Sequence, residues 1–141
     1  MFTFHFSRAY EEWAPVVGRA LFGLLFIHAS LYKIPGTDSL QREVAMTAAA
    51  GVPLAYIAVI LAFFLELLGG LAFLLGWQTR TTALLLAVFV LILNFVFFTD
   101  FSNQMKLGSF ISNLGLIAGL LYISVYGAQY AAIARDLRPT V

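Results

Sequence analysis

Four stretches of the chain carry apolar residues with hardly a break, and short polar segments separate them. They run from about Ala14 to Ile34, Pro53 to Trp77, Thr81 to Thr99 and Leu107 to Ala128. A hydrocarbon core about 30 Å thick takes roughly 20 helical residues to cross, and each stretch is close to that length. The stretches are apolar on nearly every side, so length rather than periodicity identifies them. Lipid cannot satisfy free backbone groups, which forces a spanning segment to be a helix or part of a closed barrel. Barrel strands would show as segments of about 10 residues with alternating polarity, and there are none. The pattern predicts an all-α fold: a four-helix transmembrane bundle forming one domain over residues 1–141.

The polar segments fix the connections. Thr37–Ala50 links the first two spans, and there Leu40, Val44 and Ala48 recur every four residues. That spacing predicts a short interfacial helix between the first and second spans, with Asp38 as its cap and Gln41 three residues on. Gly51-Val52-Pro53 stops it and opens the second span, with Pro53 in a tolerated first-turn position. Gln78-Thr79-Arg80 is a tight turn, and Asp100–Lys106 joins the last two spans. Tyr10, Trp13, Trp77 and Tyr130 fall near span ends, where interfacial aromatics belong. Phe2, Phe4 and Phe6 alternate with polar residues and suit an anchor at the membrane surface. Glu11, Glu12 and Arg19 spoil the pattern of a cleaved leader, so the first helix is expected to be retained.

Composition agrees and excludes several functions. Hydrophobic residues make up 62% of the chain and charged residues 11%, against about 25% charged in a soluble domain. A net charge of +1 with no basic run gives nothing to follow a nucleic-acid backbone. Without cysteine there are no disulfides, thiolate metal sites, iron–sulfur clusters or covalent haem. The two histidines, His5 and His28, lie in a tail and in a span. The chain therefore has no evident redox centre or metal site, and no covalently bound cofactor is expected.

Loop charge sets orientation. Arg8, Arg80, Arg135 and Arg138 fall on one side with Arg19 just inside it, and Lys33, Arg42 and Lys106 fall on the other. Positive loops favour the cytoplasm, so both termini are expected there, in the plasma (cell inner) membrane.

Polar residues within spans are costly and need a reason. The first span carries Arg19, His28 and Ser30 and ends at Lys33. The second carries Glu66, the third Asn94 and the fourth Asn113. At 1.5 Å per residue His28, Asn94 and Asn113 lie roughly 20 Å deep and Glu66 roughly 15 Å, close to one level. One reading is a polar pocket that holds a quinone head group or passes a proton. In it Glu66 and His28 are the catalytic acid–base groups, and Arg19, Lys33, Asn94, Lys106 and Asn113 bind the ligand. The other reading is interhelical glue, with Glu66 paired to Arg19 or His28 and Lys33 reaching for the membrane surface. Gly108, Ser112, Gly115 and Gly119 share one face of the fourth span, which serves either packing within the bundle or a homo-oligomer.

The ordered set Arg19, Phe26-Ile27-His28-Ala29-Ser30-Leu31-Tyr32-Lys33, Gly51-Val52-Pro53, Glu66-Leu67-Leu68-Gly69-Gly70-Leu71, Gly76, Thr79-Arg80 and Lys106…Asn113 resembles the DoxX family. The likeness runs from about Arg19 to Tyr126. Ser30 stands where that family usually has Gly, and the family's Gly-rich end is reduced to Tyr126-Gly127-Ala128. The resemblance implies a compact four-helix membrane protein, some of whose relatives are subunits linked to quinone-dependent oxidation. Three functions follow as expectations. The first is a membrane subunit of a quinone-linked redox system, fed with electrons by a membrane or peripheral partner. The second is a structural or assembly subunit that anchors a partner enzyme. The third is transport of a small solute or proton, which the lack of internal repeats disfavours.

Overall fold

A computed structural model describes residues 7–128. Phe2, Phe4, His5, Phe6, Tyr130, Arg135 and Arg138 lie outside the described residues. Within them there are five helices and no strand: α1 (Arg8–Leu31), α2 (Asp38–Ala49), α3 (Ala55–Leu75), α4 (Thr79–Phe97) and α5 (Gln104–Tyr126). All but α2 are long and apolar enough to cross a membrane. The fold is the expected four-helix membrane bundle with a short helix between its first two spans.

Local chemistry explains where the helices begin and end. Ser7 caps α1 by accepting from the Tyr10 amide. Thr37, one residue before the expected Asp38, caps α2 by accepting from the Leu40 amide at 3.3 Å. A hydroxyl so placed satisfies an amide that the first turn leaves without a partner. Asn103 caps α5 through the Met105 and Lys106 amides, which moves its start ahead of Leu107. The second span, α3, begins at Ala55 instead of Pro53, after Leu54 in the left-handed region at φ 52°. Gly76 closes α3 at φ 68°, with the Trp77 amide donating to Ala72 O at 2.9 Å. This glycine stop confines the chain reversal to Gly76–Gln78.

The spans assemble as two antiparallel pairs. α1 lies along α3, α4 lies along α5, and the pairs meet mainly where α3 faces α4. The closest approach is α1 on α3, where a Cβ on Gly70 would sit 2.7 Å from Gly23 O. Phe26, Phe73, Leu86 and Leu120, one from each span, are buried together in the core. Outward positions such as Leu21, Leu61, Leu84 and Leu121 are apolar and exposed, as a lipid-facing surface requires. α2 packs only on α3 and buries Leu40 and Thr47, so its inner face is Leu40–Val44–Thr47 and the expected Ala48 is exposed.

Candidate functional site

The close contact of Gly23 with Gly70 sets the register between α1 and α3. One turn further along, Glu66 comes opposite the end of α1. Lys33 lies just beyond α1, and its side chain folds back into the bundle. Lys33 Nζ lies 2.8 Å from Glu66 Oε2, 3.1 Å from Glu66 Oε1 and 3.1 Å from Ala29 O. An ammonium has three donors, and these three acceptors use them all. Glu66 is 3% exposed, so its carboxylate is closed to solvent and lipid, while the Lys33 side chain stays 14% exposed. Ser30 is fully buried beside this pair, its hydroxyl donating to Ile27 O at 2.7 Å. The family's glycine position therefore accepts a serine whose polar atom is satisfied within its own helix.

Neither expected partner of Glu66 is the real one. Arg19 is 14 residues before Lys33, about 21 Å away along α1, too far for its side chain. His28 is exposed on the outer face of α1, edge-on to Tyr32 with centroids 5.3 Å apart. At 100° per residue His28 points about 140° away from Gly23, which marks the packed line of the helix. His28 thus stands outside the polar layer that depth alone assigned to it.

Asn94 and Asn113 form a second cluster in the other helix pair. Asn113 Nδ2 donates to Asn94 Oδ1 at 2.9 Å, and Asn94 Nδ2 donates to Phe110 O at 3.2 Å. These bonds tie α4 to α5, and no hydrogen bond among the described residues joins them to Lys33 and Glu66. The single polar layer is in fact two ties, one within each pair. Lys106 is at the α4–α5 turn, its Nζ 3.5 Å from Asp100 Oδ2. The Ser102 hydroxyl, with Lys106 nearby, holds the Asp100 carboxyl below its ordinary range.

The open space is elsewhere. A cavity of about 410 Å³ lies between α1 and α5, lined by Gly18, Arg19, Phe22, Gly119, Tyr122 and Tyr126 among others. Arg19 is 6% exposed and is the charged member of that lining. Tyr122 and Tyr126 stack one turn apart with centroids at 4.4 Å. A second cavity of about 330 Å³ lies between α3 and α4 among Phe64, Leu68, Thr82 and Leu85 and has no charged lining residue. Neither cavity reaches Glu66, Asn94 or Asn113. Sequence reasoning missed Gly18, Tyr122 and Tyr126. The four-residue spacing of the two tyrosines at the end of an apolar span was the available signal. Among the described residues no group of three or more His, Asp or Glu side chains is placed to hold a metal ion.

Comparison with known proteins gives two matches. Residues 14–99 match the family model described as DoxX. The inner membrane protein YqjF of Escherichia coli (strain K12) is 35% identical over 127 residues, covering 90% of this chain and 94% of that protein. No solved structure matches the chain.

Proposed function

The chain belongs to the DoxX family, and from that premise we propose that it acts as a structural membrane subunit, a four-helix anchor that holds a partner protein at the bilayer. The observation that carries this reading is the closure of the Lys33–Glu66 pair. The strongest intramembrane candidate for acid–base chemistry has both carboxylate oxygens bonded to an ammonium whose three donors are all engaged. Its evident work is to tie α1 to α3.

A docking face is supported on α5. Gly108, Ser112 and Gly115 are exposed, and a Cβ on Gly108 or Gly115 would meet nothing within 4 Å. Small residues on a spanning helix let a neighbouring backbone approach closely. Gly119 belongs to the bundle instead, since a Cβ there would meet Phe22 at 2.7 Å. The test is purification in mild detergent of the wild type and of Gly115→Leu. The wild type is expected to retain a partner that Gly115→Leu loses while still inserted and folded. A wild type that purifies without any partner, or a variant that keeps it, removes the proposal.

A quinone-linked role at Glu66 is implied by the family resemblance alone. It needs the ion pair to open beside a cavity, and neither cavity described above lies there. Glu66→Gln should then leave quinone-linked turnover of any purified complex unchanged. A selective loss of turnover in an intact complex would restore the redox reading.

A further inference from the structure

We propose that the groove between α1 and α5 binds one anionic phospholipid, with its phosphate on Arg19 and its upper acyl chains against the apolar lining. Charge complementarity is the first argument. Arg19 is buried in the wall of this cavity, and among the described lining residues it carries the charge. A guanidinium presents five donors in a planar fork, so it serves an internal contact and a phosphate together. Basic pockets between spanning helices suit anionic head groups for this reason.

Depth is the second argument. Phe22 rests on Gly119, which closes the inner end of the groove and sets α1 against α5. In that antiparallel register Arg19 is level with Tyr122, four residues or about 6 Å inside the end of α5. That is the level a phosphate reaches, with Tyr122 and Tyr126 flanking it in the belt where tyrosines collect. Gly18 adds room, because a Cβ there would meet nothing within 4 Å. The purely apolar cavity between α3 and α4 has space but no charge, so it has no preference among head groups.

Trp13 gives a direct readout. It is exposed and adjoins the lining residues Ala14 and Pro15, and the chain has only one other tryptophan, Trp77. The Trp77→Phe protein is reconstituted in bilayers that contain brominated phosphatidylglycerol or brominated phosphatidylcholine, and quenching of Trp13 is followed. The expected result is severalfold stronger apparent binding of phosphatidylglycerol, falling to parity in Arg19→Gln. Gly18→Leu, which keeps the charge and fills the groove, should also abolish the preference. Circular dichroism confirms that each variant is folded. Equal quenching by the two lipids in the Trp77→Phe protein overturns the proposal, as does a preference that survives in folded Arg19→Gln. Relief of the preferential quenching by a short-chain quinone at concentrations where added phosphatidylglycerol has no effect also overturns it, and gives the groove to a neutral head group.

Discussion

Lys33 and Glu66 are matched atom for atom, but they differ in what each can do alone. Lys33 is at a helix end, and its long stem lets the ammonium swing out to the membrane surface once its partner is gone. Glu66 is mid-helix and buried, with no such escape. Lys33→Met is therefore expected to destabilise the bundle by about 3–5 kcal/mol, the usual cost of orphaning one member of a buried pair. Glu66→Gln should cost clearly less, and Lys33→Met combined with Glu66→Leu should recover most of the loss. Reversible unfolding in mixed detergent micelles measures all three, and equal costs for the two single variants would contradict the asymmetry. Outside the membrane, Asp100 allows a simpler test. Its carboxyl is depressed mainly by the Ser102 hydroxyl, so its small contribution to the α4–α5 turn is present above the ordinary aspartate range and is lost as pH falls through the lower folded value. Ser102→Ala should move the Asp100 midpoint upward, which a carboxyl-carbon NMR titration reads directly.

Helices in lipid gain nothing from burying one apolar surface against another, so the shape of the contact decides which faces meet. Gly70 and Gly23 carry that decision for α1 and α3. A Cβ on Gly70 would meet Gly23 O and Ile27 Cγ1 at 2.7 Å, and backbone cannot yield as a side-chain tip can. Gly70→Leu is expected to cost about 1–3 kcal/mol or more through overpacking. Gly115→Leu, with open space around it, should stay within about 0.5 kcal/mol of the wild type. The same unfolding assay separates them. The glycines also mark the limit of what the sequence made legible. Because the thickness of lipid is a one-dimensional constraint, length placed the last three spans within three residues, but it put the start of the first six residues late, at Ala14 instead of Arg8. Depth counted from the sequence assigned Glu66, Asn94, Asn113 and His28 to one level, but Gly69 meets Leu86, which puts Glu66 about five residues from the level of Asn94. Azimuth was not legible, since helices apolar on every side carry no moment that says which way a residue points. His28 therefore fell on the wrong face, Glu66 was assigned the wrong partners, and two ties were read as one pocket. Gly23 opposite Gly70 held the missing angle, but only once α1 was known to lie along α3.

Seen whole, the molecule changes the arithmetic of its own orientation. The count from sequence sets Arg8, Arg19, Arg80, Arg135 and Arg138 against Lys33, Arg42 and Lys106. The rule behind that count concerns cations left in the loops, which resist transfer across the membrane. Lys33 is not one of them, since Glu66 draws it into the bundle at 2.8 Å. Lys106 stays at the span's edge, in the first turn of α5 and half exposed beside Asp100, and still counts because acidic neighbours contribute little to the rule. Arg19, buried within α1, drops out as Lys33 does, so Arg8, Arg80, Arg135 and Arg138 stand against Arg42 and Lys106 with the margin unchanged, and the Gly76–Gln78 turn is expected on the cytoplasmic side with the Asp100–Asn103 turn opposite. The absence of cysteine makes this a direct measurement. Gln78→Cys and Gln104→Cys each place one thiol at an exposed turn position. On intact cells a membrane-impermeant maleimide should label position 104 and spare position 78, and permeabilisation should expose both. Labelling of position 78 alone on intact cells would overturn the orientation that loop charge predicts, with or without Lys33 in the count.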